Sequence, residues 1–297
     1  MIRKSSIMLS NYIKASTWFV ISILCGFFND FILRYISVNE AIDISAFQAI
    51  FLRFISSAMI LFPFFMMQKT RHIDSHKLTK HAIRSVLLFI PMVLWTYGVD
   101  NGTLIFATFM EFSIPLFVSI IAYLFLGESL KGRLLSILLG IIGISIVAIQ
   151  YIEFINILVI IAMALAAILY ATSDIINKHL LNDNEGITNL LFFSSVGVAL
   201  ISLPFAITLW KCISSYQLLL YFIQGVLGNL LVYFILKAYE LTDISSLQSL
   251  RFLSFPISLF LSLKLGDKLC FKSLFIGISL LIISLSYSIY NETKSSD

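Results

Sequence analysis

The chain has 297 residues, of which 59% are hydrophobic and only 12% charged, with a mean hydropathy of +0.98 and a formal net charge of +4. A soluble domain carries roughly twice that share of charge, so no polar surface can enclose this chain and it needs lipid around it. A spanning helix takes about 20 apolar residues; about ten such helices consume the length and leave no room for a soluble catalytic or nucleic-acid-binding domain.

The first apolar segment, 17–36, runs from Trp18 into Asn29, Asp30 and Arg34 without a small-residue cleavage site. It is therefore expected to be a retained span and not a leader. Further spans are expected at 46–67, 82–99, 103–126, 133–151, 155–177, 188–209, 217–238, 245–264 and 271–290. All are expected to be helical, because bare backbone polar groups in lipid cost several kcal/mol each, and the continuous apolar runs lack the alternation of a barrel. Basic residues in short loops set orientation. Arg3, Lys4 and Lys14 precede the first span, and KTRHIDSHKLTKHAIR follows the second. Both ends of the chain are thus expected in the cytoplasm. The acidic outer loop VNEAID agrees, while the basic outer loop KLGDKLCFK does not.

The basic stretch also holds His72, His76 and His81. His72 and His76 have ligand spacing, but only Asp74 stands near them, so a solvated loop is expected and no metal site. Cys25, Cys212 and Cys270 show no CxxC spacing and are expected as small buried hydrophobes.

The two halves repeat an order of features. NDFILR, with Asp30 and Arg34 four apart, is echoed by SDIINK, with Asp174 and Lys178 four apart and Asn177 between them. Pro63 matches Pro204, the mid-span Pro115 matches Pro256, Gly127-Glu128 matches Gly266-Asp267, and Gly140 matches Gly277. Five spans per half, an odd number, would insert the second copy upside down. The expected units are 1–151 and 152–297. Inverted repeats around a midplane site are the design of secondary transporters.

Charges at membrane depth are costly and face a partner or a cavity. Glu111, in ATFMEFSIPLF, is the clearest, and its counterpart in the second half is close to Arg251, in SLRFLSFP. Each precedes a proline by about a turn, and Pro115 and Pro256 are expected to kink their helices. If the halves face each other, acid and base can meet. Asp30 with Arg34, and Asp174 with Lys178, have i,i+4 spacing suited to local pairing. Arg53 has no acid in its own span, so it must reach a partner on another span, snorkel outward or bind an anion in the cavity, and the cavity is the favoured reading. Trp95 and Tyr97, in WTYG, stand just before the fourth span, where interfacial belt residues sit, and Trp95 and Trp18 are also candidates for stacking on a flat or cationic ligand. Trp210 reads as an interfacial belt residue.

Taken together, NDFILRY, FLRFISS with Pro63, WTYG, FSIPLF, DIINK and LKAYELTD followed by LRFLSFP resemble the drug/metabolite transporter superfamily in its ten-span EamA-type form. They are most similar to the S-adenosylmethionine uptake transporters of obligate intracellular bacteria. The resemblance implies an all-α protein of the bacterial inner membrane that imports S-adenosylmethionine in exchange for S-adenosylhomocysteine and needs no cofactor. It implies a site drawn from Asn29, Asp30, Arg53, Trp95, Tyr97, Glu111 and Arg251. Arg251 or Arg53 would take the ligand carboxylate, Glu111 or Asp30 the amine or sulfonium, and Trp95 the adenine. The family pattern puts an acid soon after Arg251; here that stretch is FLSF, with Ser254, and the acid stands on the facing helix at Glu111. Other substrates of the superfamily, an amino acid, a purine or an organic cation, suit the same residues. An intramembrane enzyme is disfavoured, since no HExxH, GxSxG or paired carboxylates occur, and buried charges disfavour a scaffold.

Overall fold

The computed structural model describes residues 2–39, 44–68, 75–102, 104–130, 132–152, 155–255 and 271–295. The helices are α1 (Ile2–Asn39), α2 (Ala46–Met66), α3 (Ser75–Asn101), α4 (Leu104–Glu111), α5 (Ile114–Leu126), α6 (Arg133–Ile152), α7 (Ile157–Asn182), α8 (Ile187–Thr208), α9 (Ser215–Leu241), α10 (Ile244–Leu247), a 3-10 helix (Gln248–Leu253) and α11 (Phe271–Ser295). No strand occurs among the described residues. Among the described residues eight segments are long and apolar enough to cross a membrane, and a shorter apolar helix covers Arg133–Gly143. The expected span at 245–264 lies outside the described residues from Pro256 onward. So do Pro256, the Gly266-Asp267 pair, His72 and Cys270, and the Arg34 and His76 side chains.

Two elements start earlier than composition suggests. α1 is helical from Ile2, although its apolar stretch is Leu9–Leu33. At 1.5 Å per residue its 38 residues run to about 57 Å, well beyond a hydrocarbon core of about 30 Å. α3 begins at Ser75, so part of the basic stretch is helix and not loop. His81 is accordingly buried, stacked on Phe193 with ring centroids 4.7 Å apart and 3.7 Å from Glu185. The solvated-loop expectation is corrected there: the helix continues and carries the imidazole against α8.

The fourth span is broken, not merely kinked. α4 ends at Glu111 and α5 starts at Ile114, with Pro115 in its first turn. Proline has no N–H, and its ring crowds the carbonyl four residues back, which is that of Glu111. The ladder tightens to three-residue bonds, Phe112 N–H to Phe109 at 3.2 Å and Ser113 N–H to Met110 at 3.1 Å. In the second half the chain likewise runs through α10 into a 3-10 turn that carries Arg251.

α1 packs on α9, α3 on α7, α2 on α8, and α6 on α11. Small residues allow close approach, as in other membrane helix pairs. Gly225 and Gly228 of α9 lie against Arg53, Ser56 and Ser57 of α2, and Gly143 of α6 lies against the Gly277 carbonyl of α11. Gly140 faces the fully buried ring of Phe252. Gly140→Leu is expected to overpack that contact, with a stability loss of about 1–3 kcal/mol, read as a lower melting temperature of the detergent-purified protein.

One end of the bundle is laced by polar contacts. Lys80 pairs with Asp183 at 3.1 Å, and Arg133 holds Glu292 at 2.6 Å and Asp243 at 3.1 Å. Glu128 accepts the Ile244 and Ser245 N–H groups at 3.0 and 2.9 Å, an acid capping the N-terminus of α10. At the opposite end Gln48 bonds both the carbonyl and the N–H of Lys211, at 2.7 and 3.0 Å.

Candidate functional site

Between α1, α2, α3, α7, α8, α9 and the two broken segments lies a cavity with about 1210 Å³ of empty space, counting its open mouth. Its wall carries three acids, Asp30, Glu111 and Asp174, and three bases, Arg53, Arg84 and Arg251.

Arg251 is the most engaged of these. Its Nη2 donates to Asp174 Oδ2 at 3.1 Å, its Nε to Gln248 Oε1 at 3.0 Å, and its Nη1 lies 3.9 Å from Glu111 Oε1. Its Cζ also sits over the Phe19 ring, 5.4 Å from the centroid. The Tyr239 hydroxyl donates to Asp174 Oδ2 at 3.0 Å. The broken segments thus bring Glu111 and Arg251 together across the halves, as the sequence suggests, but the closer acid is Asp174.

A second group surrounds Asp30. The Trp95 indole N–H donates to Asp30 Oδ2 at 3.3 Å. Arg53 acts on Asp30 electrostatically, and its Nη1 rests 3.3 Å from the Met92 sulfur. Tyr170 meets Trp95 edge to face at 6.0 Å.

Arg84 forms a third. It is 1% exposed, and its Nε donates to Asn177 Oδ1 and its Nη1 to the Leu190 carbonyl, both at 2.5 Å. Among the described residues no carboxylate lies within 4.0 Å of it, and Nη2 is buried without a partner. Two other cavity residues have buried unpartnered atoms, Asn29 Oδ1 and Ser173 Oγ.

The EamA-like transporter family model matches residues 6–149. Along almost the whole chain the sequence is 32% identical to the S-adenosylmethionine uptake transporter of Rickettsia conorii, covering 97% of this chain and 96% of that one. The protein of the same name from Rickettsia felis is 31% identical at the same coverage. The chain belongs to the EamA-like transporter family. A 14% identical crystal structure superposes with a TM-score of 0.75 over 95% of this chain and 99% of the other, a likeness of fold alone. This EamA-like chain is thus a multi-pass membrane protein of a family of transporters, not of enzymes.

Several sequence expectations need correction against this geometry. Asp174 and Lys178 do not pair: Asp174 turns to Arg251 and Tyr239, while the Lys178 ammonium donates to the Tyr239 and Thr242 carbonyls at the C-terminus of α9. Helical spacing makes the two neighbours, but a helix C-terminus and a facing guanidinium are better partners for each. Asn177 serves Arg84 and not the pair. Asn29 lines the cavity, but its amide N–H reaches the Gln224 carbonyl at 2.9 Å and Gln224 returns a bond at 3.1 Å, so much of its role is to join α1 to α9.

Tyr97 is exposed and does not line the cavity. Two residues on from Trp95, it is turned about 200° around α3. Tyr97→Ala is therefore expected to leave initial uptake within about twofold of wild type, measured in vesicles of matched protein content. Trp18, also on the outside, stacks on Phe234 at 5.4 Å, and Trp210 is exposed as a belt residue would be.

Arg84, Ser173, Tyr170 and Tyr239 escape the sequence reading. For Arg84 a signal exists. Arg84, Leu88, Met92 and Trp95 are spaced by four, four and three, the repeat of one helix face, and all four line the cavity. Counting Arg84 with the basic stretch that sets orientation hides this.

Proposed function

We propose that this chain imports S-adenosylmethionine across the bacterial inner membrane by alternating access, exchanging it for S-adenosylhomocysteine. The observation that carries the substrate is near-full-length similarity to four Rickettsia proteins named S-adenosylmethionine uptake transporter, 30–32% identical. The site chemistry supports it. The ligand has a sulfonium and an ammonium, which suit Glu111, Asp174 and Asp30, and an adenine, which suits the aromatic pair Trp95 and Tyr170.

The rocking units are residues 1–151 and 152–297, read as inverted repeats. Helix pairing supports this: α2 packs on α8 and α6 on α11, like with like, while α1 packs on α9 and α3 on α7, first with third in both directions. Two copies related by a pseudo-two-fold axis produce such reciprocal pairing. The end laced by Lys80, Arg133, Asp183 and Glu292 is the cytoplasmic one, following the basic loops, and both chain termini lie there.

The test is uptake of labelled S-adenosylmethionine into proteoliposomes, with and without S-adenosylhomocysteine inside. Uptake stimulated severalfold by the preload is expected. Uptake without stimulation removes the exchange, and no uptake by demonstrably folded protein removes the substrate.

A further inference from the structure

The cavity wall carries three acids and three bases, but they are not distributed evenly. Arg251 has Asp174 at 3.1 Å and Glu111 at 3.9 Å. Arg53 has Asp30 on the same wall acting on it. Arg84 has neither. Its guanidinium is held in place by two neutral oxygens, those of Asn177 and Leu190, which fix the plane and leave Nη2 without a partner. A buried guanidinium with an unmade bond is costly, and an anion is its natural complement. A planar fork matches a carboxylate in shape as well as charge.

A second donor stands beside it. Ser173 and Asn177 are four apart on α7 and so lie one above the other on the same face. Asn177 touches the guanidinium, which places Ser173 one helical turn from it. A helical serine commonly bonds the carbonyl four residues back, as Ser85, Ser136 and Ser195 do here. Ser173 Oγ is buried without any partner and lines the cavity. Asp174, next along α7, brings an acid to the same level.

We propose that Arg84, with the Ser173 hydroxyl, is the carboxylate-binding subsite of this transporter, in place of Arg53 or Arg251. The α-carboxylate of the ligand accepts from Arg84 Nη2 and Ser173 Oγ. Its cationic groups then face the acid-rich side, at Asp174 and Glu111. The cavity so reads a zwitterion end to end, and a ligand lacking the carboxylate leaves the guanidinium bare. This rests on the substrate reading above, since it takes the amino-acid end of S-adenosylmethionine as its ligand.

The test is equilibrium binding to the detergent-purified full chain of S-adenosylmethionine and of its decarboxylated counterpart. Wild type is expected to prefer the carboxylated ligand by roughly a hundredfold, since the ligand without the carboxylate loses a bond to a charged group and leaves a buried donor bare. Arg84→Gln is expected to bring the ratio near one, Ser173→Ala to lower it several-fold, and Arg53→Gln to leave it high. A ratio unchanged in Arg84→Gln overturns the proposal, as does a ratio that collapses only in Arg53→Gln. A merely structural Arg84 would weaken both ligands alike and keep the ratio. Should Arg84→Gln not fold, Arg84→Lys keeps the charge and loses the fork; the ratio is then expected to fall about tenfold, and no fall overturns the proposal. If wild type binds neither nucleoside, the substrate reading fails by itself, and acetate becomes the probe. Heat protection by acetate over chloride, present in wild type and missing in Arg84→Lys, supports the anion subsite; equal protection, or none, overturns it.

Discussion

Arg251→Leu is expected to abolish uptake and to destabilise the protein by about 3–5 kcal/mol, the usual result of stranding one partner of a buried pair. Arg251 bonds Asp174 and Gln248 and faces Glu111. Removing it takes from both acids the cation that each now has within 4.0 Å. The double variant Arg251→Leu with Asp174→Leu separates stability from transport. Replacing a whole buried pair by apolar groups is often close to neutral, so the double variant is expected to recover much of the melting temperature while uptake stays at background. Thermal melts and proteoliposome uptake on the same preparations decide it. Recovery of uptake in the double variant would show that the pair only ties α7 to the 3-10 turn within the second half.

Arg251 can be central because the chain is broken around it. A regular helix leaves no backbone group free to shape a site, and irregular backbone survives at membrane depth only where it is buried or lines a cavity. The α4–α5 break and the 3-10 turn are two such places, one from each half, and they carry Glu111 and Arg251. The sequence shows the acid, the base and Pro115 at matching positions, and this much is local chemistry that spacing records. It does not show that the proline stops the helix outright, because whether a proline bends or breaks a helix depends on what packs against the freed carbonyl.

The same division holds elsewhere. Hydropathy locates the spans because lipid imposes one rule on all of them. Side-chain partners follow a different logic. Asp174 and Lys178 are neighbours by spacing, yet each finds a stronger partner on another helix, and no local pattern encodes Arg251 or the end of α9 as that partner. Tyr97 and Trp95 sit two residues apart, and only the helix phase, readable from Arg84, Leu88 and Met92, tells which of them faces inward. Arg84 is hidden by its own loop, since a basic residue at the end of a span serves orientation equally well in solvent or buried.

Glu111→Gln is the sharpest test of why a carboxylate stands in the middle of an apolar run. Arg251 keeps Asp174 at 3.1 Å and Gln248 at 3.0 Å when Glu111 loses its charge, so the base is not stranded. The glutamine retains the volume at the end of α4, and Pro115 still sets the break. Membrane insertion and melting temperature are therefore expected to stay close to wild type. Uptake is a different matter. The Glu111 side chain is the more open of the two acids near Arg251, 26% exposed against 15% for Asp174, so it is the one a cationic ligand meets. A lost charge-assisted contact is worth about 1.5–3 kcal/mol, roughly ten- to hundredfold in affinity. Uptake at subsaturating ligand is expected to fall by that factor and to recover in part at high concentration. Wild-type uptake in Glu111→Gln would leave Glu111 a tie between the halves and return the cation to Asp30 or Asp174. A loss that high concentration does not relieve would place its role in the rocking step and not in ligand recognition.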